Sequence, residues 1–283
     1  MAIIGFGVVI VAVVGGYLME HGNLSVLLQP AELVIIGGTA IGAFLIASPT
    51  KVIKHVLGSI GSIFKSKSYG KDHYIELLSL LYRVFSKIRK EGLISIEADV
   101  ENPDKSALFR KFSSIMKEER LISFICDNLK VIVTTSIPPH ELDGLLDIEI
   151  ETGLHEAQVP SHALSTIADS LPGIGIVAAV LGIVLTMGKI DEPPAVLGHS
   201  IGAALVGTFL GILLCYGFVG PMAANLNYKA KEEEVSFQVI KLSIVAFVGG
   251  SAPQIAVEFG RRAIPGHDKP SFAELEKAVR AAK

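Results

Sequence analysis

Two apolar runs in the second half of the chain carry the residues best placed to do chemistry. In residues 169–188 (DSLPGIGIVAAVLGIVLTMG) and 204–221 (ALVGTFLGILLCYGFVGP), Gly, Ala and Thr recur every three or four positions. Gly175, Ala178, Ala179, Gly182 and Thr186 fall on one narrow helical arc. On the other run Ala203, Gly207 and Gly211 form one stripe, and Ala204, Thr208, Gly211 and Cys215 form its neighbour. Small residues at this spacing let membrane helices approach closely, so the stripes predict either packing within one subunit or a close layer around a third element. Neither run holds an ionisable side chain at mid-depth. The chemistry they suit is that of a wall along an ion pathway whose titrating acid comes from another chain. Thr208 is the one strongly hydrogen-bonding side chain near the middle of its face; it either lines a wet path or bonds back to its own helix.

Other residues with chemical potential point elsewhere. Pro172 and Pro221 each remove a helix hydrogen bond near one end of these runs, which gives a hinge, a static kink or a span boundary. Asp169, three residues before Pro172, is placed to cap the start of the third span. His140, Asp143, Asp147, Glu151 and His155 have metal-ligand side chains at helical spacing, but ligands strung along several turns do not converge, and a solvated acidic face has the same pattern. Cys126 and Cys215 form no motif and read as small apolar side chains. No phosphate-cradling Gly loop, nucleophile elbow or Cys/His pair is visible, so an enzyme is not expected, nor any cofactor, metal or nucleic-acid ligand.

The elements that must position these residues are membrane helices. The chain has 283 residues, 50% of them hydrophobic, no Trp and a mean hydropathy of +0.53, which is too apolar for an ordinary soluble domain. Four stretches reach the roughly 20 residues that cross a bilayer: 2–19, 32–48 and the two runs above. The first starts without Lys or Arg and lacks a small-residue cleavage site, so it reads as a retained anchor. Glu32 sits at the entrance of the second, and no acid is expected inside the four spans. Lys51, Lys54, Lys65, Lys67 and Lys71 follow the second span, whereas the loop between spans one and two has no basic residue and that between three and four has only Lys189. Positive-inside logic puts 50–168 and both termini in the cytoplasm. Within that block Ile75, Leu78, Leu81, Tyr82 and Phe85, and again Leu121, Phe124, Ile125 and Leu129, recur at helical steps, with 102–103 and 138–139 as breaks. Ser271 with Glu274 gives a capping box, and Glu276 with Arg280 a favourable four-residue pair, so 269–283 predicts a terminal helix. The fold class is therefore an all-α integral membrane protein. Its expected parts are transmembrane helices 1 and 2 (1–49), a large helical cytoplasmic insertion (50–168), transmembrane helices 3 and 4 (169–226) and a cytoplasmic helical tail (227–283).

SLPGIGIVAAVLGIV, VGTFLGILLCYGFVGP, EGLISIEADVENP, DIEIETGLHEAQVP, IAVEFGRR and KPSFAELE stand in this order over nearly the whole chain. Together they resemble the MotA family of flagellar motor stator subunits; the membrane half alone is also similar to the energiser subunits TolQ and ExbB, which share the last two spans. The resemblance implies an ion-driven torque generator of the bacterial inner membrane, in which five such chains surround two copies of a single-span MotB-like partner bearing the essential Asp. It implies functional prolines at Pro172 and Pro221, and Thr208 facing the partner's Asp. It also implies a charged pair, Arg89 and Glu97, that engages the rotor protein FliG. Ala179 stands where sodium-driven relatives have Thr, which favours protons. Gly173 and Ile174 depart from the Ala and Phe of better-known members. Two alternatives remain at this point: a TolQ/ExbB-like energiser of an outer-membrane process, and a passive membrane scaffold with no ion flux.

Overall fold

The computed structural model describes residues 1–64 and 69–281, and every regular element among them is helical. Lys65 and Lys67, counted above toward the orientation, and Lys283 of the terminal motif lie outside the described residues. In chain order the helices are α1 (Ala2–Met19), α2 (Leu24–Leu27), α3 (Pro30–Ala47), α4 (Thr50–Ile63), α5 (Lys71–Glu91), α6 (Glu97–Glu101), α7 (Ser113–Met116) and α8 (Glu119–Thr134). There follow α9 (Pro139–Met187), α10 (Pro194–Leu213), a π-helical turn (Leu214–Val219), α11 (Gly220–Val248), α12 (Pro253–Ala263) and α13 (Phe272–Ala281). Proline opens α3, α9, α10 and α12, where its fixed φ suits the first turn and its missing N–H is no loss. Pro49 ends α3 by forcing Ser48 into an extended conformation. Gly92 closes α5 at φ +87°, a left-handed conformation that a side chain would strain.

Among the described residues, four helices are long and apolar enough to cross a membrane: α1, α2 with α3, α9, and α10 continuing into α11. One unit, made of Met1–Ser66 and Ala157–Lys229, holds all of α1, α2, α3 and α10, α9 from Ala157 onward and α11 as far as Lys229. α1 buries none of its residues although it is apolar all round. Val177, Leu181, Val184 and Leu185 of α9 are likewise exposed. Such a surface would drive aggregation in water but is what hydrocarbon requires of a helix whose backbone is satisfied internally. The buried clusters of this unit are small. One joins Ile36, Ala40, Ala168, Leu171, Ala178 and Cys215, the other Val56, Ile63, Leu164, Ala223 and Leu226.

The second unit, Lys67–Glu156 with Ala230–Lys283, is built as a water-soluble domain is. Leu77, Leu78, Leu81 and Phe85 of α5 pack with Leu121, Ile125 and Leu129 of α8 and with Val239, Ile240 and Ile244 of α11. Phe85 lies flat on Phe247, ring centroids 4.4 Å apart and planes 6° from parallel. The capping box forms as expected: Ser271 N–H donates to Glu274 Oε2 at 2.7 Å and Glu274 N–H to Ser271 Oγ at 3.2 Å. Arg280 reaches Glu276 at 2.7 Å. Asp143 and Asp147 of the acidic stripe close on Lys241, at 2.9 and 2.7 Å from its Nζ. Burial pulls the Lys241 ammonium down, but the bonds it donates to Asp147 and Asp143 outweigh that and hold the group above its ordinary range.

Three details differ from the sequence reading. The stretch between the first two spans contains the helical turn α2, capped by Asn23 Oδ1, which accepts from Ser25 N–H at 3.0 Å. Asp169 caps nothing: α9 runs unbroken through Pro160 and Pro172, so Asp169 is an exposed mid-helix residue. A cap needs non-helical backbone, and the turns ahead of Asp169 are already helical. The fourth span begins at Pro194, well before the run at 204, because the polar residues of 194–203 continue the helix without altering its period.

Candidate ion-pathway site

The wall is formed where α9 and α10 meet with almost nothing between their backbones. A Cβ on Gly175 would lie 2.7 Å from Gly207 O and 3.0 Å from Gly211 Cα. One on Gly211 would lie 2.6 Å from Leu171 O and 2.9 Å from Gly175 Cα, and one on Gly182 would lie 2.7 Å from Ala204 Cβ. No real Cβ sits that close, so glycine is the only side chain these positions admit without moving a helix. The small-residue stripes are thus, first of all, packing within one chain. Thr186 uses its hydroxyl in the same way, donating back to Gly182 O at 2.9 Å.

Of the residues singled out from the sequence, Ala179, Thr208 and Pro172 lie on or next in chain to residues of this crossing, and Pro221 lies beyond it. Ala179 is 5% exposed, and its backbone N is 3.1 Å from the point a Gly207 Cβ would occupy. Thr208 follows Gly207 and is half-buried at the margin of the α9-facing stripe. Pro172 is half-buried inside α9, one residue beyond Leu171, whose carbonyl meets Gly211. Pro221 is exposed just after the π turn Leu214–Val219. Its ring cannot accept the regular geometry against the carbonyl four residues back, and the helix widens there. It lines a cavity of about 350 Å³ together with Phe6, Ile63, Tyr216, Met222 and Asn225.

The expectation that no acid lies inside the spans is corrected. Glu32, in the first turn of α3, is 7% exposed, and its Oε2 is buried with no hydrogen-bond partner. That oxygen stands 2.5 Å from where a Gly207 Cβ would be, and Oε1 is 3.6 Å from the equivalent point on Gly182. α3 packs on α10, and this carries the start of the second span against the midpoint of 194–221. The signal was an acid at the edge of an apolar run with glycines on a neighbouring span. Reading each span separately hid the juxtaposition.

Arg89 and Glu97 belong to the second unit, where they are exposed on either side of the Gly92 turn. Arg89 lines a cleft of about 690 Å³ with Arg83, Lys87, Lys90 and Lys111 facing Asp99; Lys87 reaches Asp99 at 2.7 Å. Glu97 is not part of that lining.

Two family sequence models match the chain: motility protein A N-terminal over residues 3–92, and the MotA/TolQ/ExbB proton channel family over residues 111–239. Motility protein A of Salmonella typhimurium is 44% identical over 283 residues, covering all of this chain and 96% of its own. The chain belongs to the motility protein A family. Chemotaxis protein LafT of Vibrio parahaemolyticus is 36% identical over 274 residues, 97% of this chain and 96% of that protein. Among solved structures, the flagellar MotAB stator complex of Bacillus subtilis aligns with a TM-score of 0.78 at 26% identity, over 97% of this chain and 99% of that one. C. jejuni MotAB shares the fold, with a TM-score of 0.80 at 18% identity over 96% and 98% of the two chains. As a motility protein A, the chain is a stator subunit within a proton channel family. The match over 3–92 reaches beyond the last two spans shared with TolQ and ExbB, so the energiser and scaffold alternatives give way.

Proposed function

We propose that this chain conducts protons and generates torque together with a single-span, MotB-like partner, five copies of the chain enclosing two of the partner in the bacterial inner membrane. The observation that carries this reading is the full-length kinship with motility protein A. The partner's helix supplies the essential Asp beside Thr208 and Ala179, and lipid covers α1. A proton entering from outside neutralises that Asp and lowers the cost of moving it past an apolar wall; release toward the cytoplasm makes the old position unfavourable. The turns at Pro172 and Pro221 give the wall its points of adjustment. Each ion contributes about 2.3 kcal/mol per 100 mV, so torque requires many steps with low friction. Ala179 offers no oxygen ligand, which makes the wall a poor sodium site. Residues 50–168 and 227–283 lie in the cytoplasm with both termini, and Arg89 and Glu97 meet the rotor protein FliG.

The chain and such a partner, expressed in a cell lacking its own stator, should restore swimming whose speed is unchanged when potassium replaces sodium. Swimming that depends on sodium would overturn the proton assignment, and absence of swimming despite a membrane-inserted complex would overturn the stator reading. Arg89→Glu combined with Glu97→Lys should abolish swimming while the complex still assembles; normal swimming by that variant would make the pair a solvated surface.

A further inference from the structure

The wall contains a group that the mechanism above does not use. Glu32 is buried to 7% exposure, its Oε2 has no partner, and both oxygens point into the notch left by Gly207 and Gly182. The other groups that crowd these two glycine notches belong to Ala178, Ala179 and Ala204, none of them titratable. The ionisable residues nearest in sequence to Gly182 and Gly207 are Lys189, just past the end of α9, and His199 on α10, both exposed and about two helical turns away. A packing role alone would be met by an apolar side chain, since burying a carboxyl group without a partner is unfavourable. Ionisable residues inside membrane spans are rare and usually serve an ion or proton path. Glycine at 207 is also what makes room for the oxygen: any side chain there would occupy its position.

We infer that Glu32 is a second proton-binding carboxyl group of the pathway, mounted on this chain opposite Gly207. Resting on the stator reading, it deepens that reading by giving the wall its own proton acceptor. A carboxylate oxygen of Glu32 accepts a proton from the outer aqueous side, forming one O–H bond. The donor hydronium loses one O–H bond in that step, and the Glu32 O–H bond later breaks as the proton forms a new O–H bond on a water or carboxylate further along the path. In the proposed orientation the basic residues that follow the second span face the cytoplasm, which puts the entrance of α3 on the side from which protons arrive.

The test uses the full chain with its single-span partner in proteoliposomes, proton uptake being driven by an imposed voltage and followed with a pH dye. Glu32→Gln keeps the shape of the side chain but cannot exchange a proton. It should lower the flux by roughly a hundredfold, the low end of what a positioned proton-transfer group contributes, with the deficit largest at alkaline outer pH and shrinking as that side is acidified. Glu32→Asp should retain the pH-dependent flux with its half-maximal pH displaced. Glu32→Gln flux equal to wild type at every pH overturns the proposal. So does a loss independent of pH, which is the signature of packing. Should Glu32→Gln fail to co-purify with the partner, the Asp variant decides, and an unshifted pH profile counts against the proposal. Wild-type complex that carries no protons would refute the stator reading instead.

Discussion

The two units of this chain reach tight packing by opposite routes. In the 67–156 and 230–283 unit, large side chains fill the interior: Phe85, Phe109, Leu77 and Leu121 are at most 1% exposed, and rings stack as Phe85 does on Phe247. In the membrane unit the tightest contact is made by removing side chains, Gly175 and Gly211 meeting backbone to backbone while Val184 and Leu185 face outward. The difference follows from the solvent. Water rewards burial of apolar area, at about 25 cal/mol per Å², so a core there grows by adding methylenes. Lipid gives no such reward, and helices associate through close approach and dispersion contacts, which small residues permit. The same amino acids therefore have opposite consequences in the two units.

The contrast is most sharply tested by adding atoms to the membrane contact. Gly211→Val puts a branched side chain where even a Cβ would be 2.6 Å from Leu171 O, and should abolish swimming and reduce the amount of complex extracted from membranes. Gly173→Ala, with nothing within 4 Å of the new methyl, should swim normally; equal tolerance of both would dissolve the distinction. Removing atoms is the corresponding test of the other unit. Phe85→Ala should cost about 3–5 kcal/mol, read as a lower unfolding temperature and faster proteolysis of the detergent-solubilised complex.

Charge gives smaller effects. Lys241→Met removes the cation that Asp143 and Asp147 share, but those carboxylates are 44% and 52% exposed and can turn to water. A loss of about 1 kcal/mol is expected, by the same unfolding measurement. The smallest effect concerns Glu274, whose carboxyl is held down to about 2 by the backbone N–H of Ser271, helped by the Ser271 hydroxyl and Lys71. A folded value below the ordinary 4.5 means that the contribution is complete above 4.5 and is lost as the pH falls toward 2. Amide protection in the first turn of α13, with exchange corrected for its intrinsic pH dependence, should fall over that range in the wild type and not in Glu274→Gln.

Much of this was legible in the sequence because periodicity survives folding. The glycine stripes, the helical blocks around Leu81 and Leu121, the Ser271 capping box and the extent of α1 all follow from local spacing. What escaped depends on contacts between distant segments. The burial of Glu32 follows from how α3 packs on α10, and the pairing of Lys241 with Asp143 and Asp147 bridges residues far apart in the chain. Asp169 misled for the opposite reason: a Pro three residues ahead imitates a helix start, yet the preceding turns keep the helix going. The close crossing of α9 and α10 was legible as stripes of small residues, while the buried carboxyl group beside it required the third dimension.

The π turn at Leu214–Val219 changes how positions along this part of the chain must be counted. Its i→i+5 bonding takes up one residue more than regular helix, which amounts to a phase slip of about 100°. Counting by sevens from Cys215 leads to Met222 and Lys229, both partly exposed, whereas the fully covered positions are Ala223 and Ala230. Helical-wheel projections drawn continuously through 194–248 therefore rotate every face beyond Val219 by one residue. Cysteine pairs or spectroscopic probes intended for the inner surface of α11 belong at 223 and 226, counted from the slip rather than from Pro194.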